Sequence, residues 1–125
     1  MNPRTDVTTK TGNLTEAPEI GQSKSGTTFA RFRIAVELPL VEGDWRGEKE
    51  TTYYSVVCFG STAEHVCESL QKGDRVIVTG RGELDTWTGK DGQERTTKKI
   101  VADAVGAELR FSSLSIARER RGGGR

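Results

Sequence analysis

Apolar side chains alternate with polar ones along the segment 27–38, TTFARFRIAVEL. The apolar positions of this alternation are Ala30, Phe32, Ile34 and Val36. The positions between them include Arg31 and Arg33. Because successive side chains of a strand point to opposite faces, the pattern predicts a strand with one buried face and one face toward solvent.

The segment 51–60, TTYYSVVCFG, has the same period but lacks an ordinary polar face. By parity, one of its faces carries Tyr53, Ser55, Val57 and Phe59. The opposite face carries Val56 and Cys58, which we expect to fill the core while the rings of Tyr53 and Phe59 point outward. The alternative is a strand that is buried on both faces.

One residue and one segment near these strands fit the alternation less clearly. Tyr54 shares the parity of the inner face but lies near the start of its segment, where a contact between subunits could hold it. The segment 6–14 is rich in Thr and is predicted to be a strand, although Val7 and Leu14 are its only large apolar residues.

The segment 74–87 is predicted to be a long strand that bends. Gly80 and Gly82 lie two apart inside it, which permits the tight bend of a barrel corner. A turn at 89–92, Gly-Lys-Asp-Gly, then connects it to a returning strand at 95–105, so that the two form a long hairpin.

One helix is predicted at 61–73, STAEHVCESLQKG. Ser61 and Glu64 have the spacing of a capping box at its start, and Gly73 is placed to end it. Its apolar stripe consists of Ala63, Val66, Cys67 and Leu70. The stripe predicts that one side of the helix packs on the core.

The order of these elements predicts an all-β fold: a five-stranded Greek-key OB-fold barrel with one helix between strands 3 and 4. Barrels of this kind bind oligonucleotides or oligosaccharides on the face of strands 2 and 3 and on adjoining loops. We expect residues 1–110 to form this domain and residues 111–125 to form a basic tail. Within the tail, 111–117 could add one strand that clasps a neighbouring subunit, with disorder beyond it.

Composition limits the class of protein. With 125 residues, of which 33% are apolar, the chain can build one modest core. It has neither the run of about 20 apolar residues of a membrane helix nor a secretory signal, so we expect a soluble cytoplasmic protein. Cys58 and Cys67 are too few for a disulfide framework or a metal site, so reduced thiols are expected, with a disulfide as the alternative. No cofactor and no metal are predicted.

The net charge of +1 hides an asymmetry. Residues 110–125 carry five arginines and one glutamate, whereas the other 109 residues carry 14 basic and 17 acidic side chains. If the body of the protein binds a polyanion, its cations must therefore lie on one face, and contacts other than charge must contribute.

Flat rings and cations are predicted to gather on one side of the barrel and on the hairpin. The candidates are Arg31, Arg33, Trp45, Tyr53, Ser55, Phe59, Trp87, Arg95 and Lys99. Rings stack on unpaired bases and cations contact phosphates, so the combination favours binding of single-stranded nucleic acid. Each residue also has a plainer interpretation, as core, as a solvated face or as packing under a loop. Their placement on one side of the predicted barrel favours the binding site.

From about residue 7 to 110 the chain resembles the bacterial single-stranded DNA-binding proteins of the homotetrameric OB-fold type. The resemblance rests on GNLTEAPEI, SGTTFARFRIAV, the long block 51–95 and the closing IVADAVGAEL. It implies that Tyr53, Phe59 and Trp87 occupy base-stacking positions and that Lys72, Arg81 and nearby cations lie along the DNA backbone. It also implies a nucleoid-associated homotetramer that serves replication, recombination and repair and catalyses no reaction.

Three departures from the family pattern alter this expectation. The first stacking position is often Trp in the family and is Tyr53 here, and Asp85 and Thr86 stand where basic residues often precede Trp87. We therefore expect weaker or more salt-sensitive binding of DNA. The basic tail lacks the acidic tip through which the family docks replication and repair enzymes; a shortened chain, a paralogue or a phage-type member would each end this way.

Two other functions compete with DNA binding. The same fold could bind RNA or act as a primosome-type accessory protein. An enzyme that uses Cys58, His65 and Cys67 is disfavoured, because His65 and Cys67 lie on different faces of the helix and no third group is placed to orient them.

Overall fold

A computed structural model describes residues 7–39 and 49–118 of the chain, and within them it contains six strands and one helix. In chain order these are β1 (Val7–Leu14), β2 (Glu19–Gln22), β3 (Thr28–Pro39), β4 (Lys49–Phe59), α1 (Gly60–Ser69), β5 (Arg75–Thr88) and β6 (Glu94–Ala107).

Five of the strands close into a barrel. The strand order is β1-β5-β6-β4-β3-β2, and β1 also pairs with β3, where Asn13 lies opposite Ala35 and Leu14 opposite Ile34. All pairings are antiparallel except that of β4 with β6. The predicted five-stranded OB-fold with its helix between the third and fourth barrel strands is confirmed. The short strand β2, which pairs with the outside edge of β3, was not predicted.

The core follows the predicted alternation. Its largest fully buried side chains are Leu14, Ile34, Val56, Cys58, Val76, Val78 and Ile100. Gly80 lies at a register shift between β5 and β6, and a Cβ atom there would come within 2.1 Å of the Val101 carbonyl oxygen. The predicted bend at this glycine is therefore present, and it depends on the absence of a side chain.

The helix was predicted correctly in its packing but wrongly at both ends. Ala63 and Val66 are buried, and Cys67 and Leu70 pack against the core. The helix begins at Gly60, directly after β4, and its N-cap residue Phe59 makes no side-chain capping bond. Gly60 has a φ of +70°, which turns the chain straight from the strand into the helix.

Because the helix starts one residue before Ser61, that serine lies inside the first turn, and the predicted capping box with Glu64 does not form. The helix ends at Ser69, so Gly73 is not its C′ residue. Instead Gly73, with a φ of +93°, lies in the following turn, where its N–H donates to the Leu14 carbonyl and its own carbonyl accepts from the Asn13 side chain.

The described part of the tail, 111–118, contains no strand in the single chain. The extra strand suggested at 111–117 would form with a neighbouring subunit, so it stays a prediction. Within the described residues, no helix is long and apolar enough to span a membrane.

Candidate nucleic-acid interface

The side chains that point away from the barrel core on β3, β4, β6 and β5 form one continuous surface, which we call the outer face. Strand pairing places Arg33 beside Ser55, Ser55 beside Lys99, and Lys99 beside Glu83. Since adjacent strands are about 4.8 Å apart, this row crosses about 14 Å of the sheet.

A second row runs parallel to the first, two residues away along the strands. It places Arg31 beside Val57, Val57 beside Val101, and Val101 beside Arg81. Arginines thus lie at both ends of the second row, with two valines between them. The first row begins at a cation but ends at a carboxylate, and its middle holds Ser55 and Lys99.

The rings predicted to face outward do so. Tyr53, Phe59 and Trp87 are 51%, 47% and 50% exposed, whereas Val56 and Cys58 on the other side of β4 are fully buried. The guanidinium of Arg33 lies 5.1 Å from the centre of the Tyr53 ring. A base stacked on Tyr53 would therefore lie next to a cation that can contact its phosphate.

Phe29 belongs to the same surface and was missed from the sequence. It lies directly opposite Phe59, and the guanidinium of Arg31 is 5.6 Å from its ring centre. The ring of Phe29 covers Gly21 of β2, where a Cβ atom would come within 2.9 Å of it. Extending the alternation of β3 by one step, from Arg31 to Phe29, could have identified it.

The hairpin continues the outer face beyond the barrel. Trp87 and Arg95 are paired across β5 and β6 and share the parity of Glu83 and Lys99. At about 3.4 Å per residue, six residues separate Trp87 from Arg81 by about 20 Å, so a bound strand that reaches both must follow the hairpin.

One predicted site residue, Lys72, lies apart from this surface. Lys72 is exposed in the turn after α1, which is hydrogen-bonded to β1 through Gly73. Trp45 lies outside the described residues. The remaining predicted residues, which the structure brings together on the outer face and the hairpin, are Arg31, Arg33, Tyr53, Ser55, Phe59, Arg81, Trp87, Arg95 and Lys99.

Tyr54, for which two interpretations were open, belongs to the inner side. It packs against the core cluster, and the ammonium groups of Lys10 and Lys98 lie 5.4 and 5.9 Å from its ring centre. Its ring is thus directed away from the bases that Tyr53 would meet.

The two thiols are free and sheltered. Burial, and then the neighbouring Cys67, raise the pKa of Cys58 to about 11, and burial also raises the pKa of Cys67. Both thiols therefore stay protonated near neutral pH, which makes them poor nucleophiles and poor metal ligands. Among the described residues, no group of three or more His, Cys, Asp or Glu side chains is arranged to hold a metal.

Comparison with known proteins gives a consistent result. Residues 7–108 match the model of the single-strand binding protein family. A single-stranded DNA-binding protein of Paenarthrobacter aurescens is 34% identical over 113 residues, which cover 88% of this chain and 66% of that protein. One from Corynebacterium glutamicum is 36% identical over 118 residues, which cover 92% of this chain and 52% of that protein. The chain thus spans about half to two thirds of the length of these relatives.

A solved structure is also similar. The crystal structure of a small single-stranded DNA-binding protein from Streptomyces coelicolor superposes with a TM-score of 0.74 and 28% sequence identity, covering 86% of this chain and 97% of that one.

Proposed function

This chain belongs to the single-strand binding protein family, and on that premise we propose that it binds single-stranded DNA without regard to sequence. The observation that carries the proposal is the set of half-exposed rings, Tyr53, Phe59 and Trp87, on a surface that also carries several cations. In a monomer, such rings gain little from packing, whereas unpaired bases offer flat surfaces that match them.

Binding divides between two kinds of group. The rings of Tyr53, Phe59 and Trp87 stack on bases, and Phe29 widens the apolar surface beside Phe59. The cations Arg31, Arg33, Arg81, Arg95, Lys99 and Lys72 contact phosphates, with Ser55 as a polar contact in the middle of the face. Trp45 completes the proposed set. Every base has a flat face and every nucleotide a phosphate, so neither contact selects a sequence.

Proteins of this family bind nucleic acid and catalyse no reaction, and the protonated thiols of this chain fit that role. We propose that the chain assembles as a homotetramer, the usual state in its family, and that it works on single strands exposed during replication, recombination and repair. In the cell this places it in the cytoplasm, at the nucleoid. Single-stranded DNA is its proposed partner.

Competing ligands test the proposal directly. Fluorescence anisotropy with labelled oligo-dT, oligo-U and duplex DNA at one salt concentration should give tightest binding to oligo-dT. Equal binding of duplex would contradict stacking, because paired bases cannot reach the rings. Tighter binding of oligo-U would favour the RNA-binding alternative.

A further inference from the structure

Three arginines of the outer face and hairpin are each held by a carboxylate of the same chain. Arg81 Nε lies 3.0 Å from Glu83 Oε2, Arg95 Nη2 lies 2.8 Å from an Asp91 oxygen, and Arg31 Nη2 lies 3.7 Å from a Glu19 oxygen. A phosphate that approaches any of these arginines meets a group of its own charge.

We propose that Glu83 is an internal competitor for the DNA backbone: its carboxylate takes the place of a phosphate between Arg81 and Lys99 and so limits the affinity for single strands. The inference rests on the proposed function and adds to it a residue that opposes binding.

The position of Glu83 distinguishes it from the other two carboxylates. It lies on the outer face itself, directly opposite Lys99 and two residues from Arg81 on the same side of β5. Its side chain is 35% exposed, against 78% for Glu19 and 50% for Asp91. The less water surrounds a carboxylate, the less its charge is screened, so Glu83 should oppose a phosphate more strongly than the other two.

Binding of DNA at Arg81 then replaces one contact, with the Glu83 carboxylate, by another, with a phosphate. To contact a phosphate, Arg81 must release Glu83 or share its donors, and the released carboxylate attracts a cation from solution. Each phosphate contact with a single strand normally steepens the dependence of log K on log salt by about 0.7. This dependence arises because each phosphate contact releases cations from the DNA, and uptake of a cation by Glu83 offsets part of that release. The wild-type chain should therefore bind single strands more weakly than a chain without this carboxylate, and its affinity should depend less on salt.

The test compares Glu83→Gln with Glu64→Gln, which removes the same charge from an exposed position on α1. Glutamine keeps the size of the side chain and a hydrogen-bond acceptor for Arg81. For an exposed ion pair worth up to about 1 kcal/mol, the affinity for labelled oligo-dT should rise about fivefold in Glu83→Gln. Glu64→Gln should change it less than about twofold, and the slope against salt should steepen only in Glu83→Gln.

Asp91→Asn and Glu19→Gln should give smaller gains, because those carboxylates are more exposed. Equal affinities of Glu83→Gln and Glu64→Gln would overturn the proposal, and so would weaker binding by a folded Glu83→Gln, which would mean that Glu83 positions Arg81 for DNA. Thermal unfolding of each variant separates these results from a loss of fold, and Glu83→Ala repeats the test without any acceptor. If the wild-type chain itself fails to bind oligo-dT, the proposed function fails as well; if it binds and Glu83→Gln does not gain, only the inference fails.

Discussion

Replacing Tyr53 by alanine tests the stacking role of the outer face most directly. The side chain is 51% exposed, and the centre of its ring lies 5.1 Å from the guanidinium of Arg33. Its loss therefore removes one stacking surface and also the cation–π contact of Arg33. In OB-fold proteins that bind single strands, replacing a stacking ring by alanine costs about 1–3 kcal/mol of binding free energy per base. Tyr has a smaller ring system than Trp, so we expect the lower end, about 1.4 kcal/mol, which weakens binding about tenfold.

A series at this position separates the ring from the hydroxyl group. Anisotropy with labelled oligo-dT should give affinities that fall in the order Tyr53→Trp, wild type, Tyr53→Phe and Tyr53→Ala, with Tyr53→Phe within about twofold of wild type. Duplex binding should be unchanged throughout, because paired bases do not reach the ring. The stacking assignment is wrong if Tyr53→Ala, shown to be folded by its circular dichroism, binds oligo-dT as tightly as wild type.

Other predictions concern the bend, the missed ring and the buried thiol. Gly80→Ala should lower the free energy of unfolding, measured in urea, by about 2–3 kcal/mol, because its Cβ would meet the Val101 carbonyl. The control is Gly106→Ala, where a Cβ meets nothing within 4 Å, and it should change the free energy of unfolding by no more than about 0.5 kcal/mol. Equal effects of the two substitutions would contradict the close approach at Gly80. Phe29→Ala should weaken oligo-dT binding about as much as Tyr53→Ala, and an unaltered affinity would exclude Phe29 from the site. The raised pKa of Cys58 means that the unfolded chain loses the thiol proton first, so stability should fall as pH rises from about 9 to about 11, and should fall less steeply in Cys58→Ala. Parallel slopes for the two proteins over that range would show that the thiol has no such effect.

The period of the sequence was enough to predict which strand residues face the core. Side chains alternate along a strand by geometry alone, so the separation of Val56 and Cys58 from Tyr53 and Phe59 could be predicted before any pairing was known. The glycine bend at Gly80 was predicted for the same kind of reason, since a local steric rule decides it.

Features that depend on strand pairing, or on where the chain turns, could not be predicted from the sequence pattern. β2 has four residues, mostly exposed, and so carries no apolar period. The start of α1 is decided by the turn at Gly60 rather than by the capping pattern of Ser61 and Glu64, because the helix follows β4 without a loop. That Glu83 faces Lys99 follows only from the register of β5 against β6, which the hairpin turn sets and the sequence pattern does not.

The carboxylates on this surface have a consequence for selectivity. Charge attracts duplex DNA at least as strongly as single strands, since each phosphate contact contributes a slope of about 0.9 for duplex against about 0.7 for single strands. The proposed stacking on Tyr53, Phe59 and Trp87 would benefit only unpaired bases. On the role proposed for it, Glu83 would weaken the contribution that duplex and single strands share and leave the contribution of the rings intact. A face whose cations are partly neutralised binds single strands less tightly, but it distinguishes them from duplex better than a fully cationic face with the same rings.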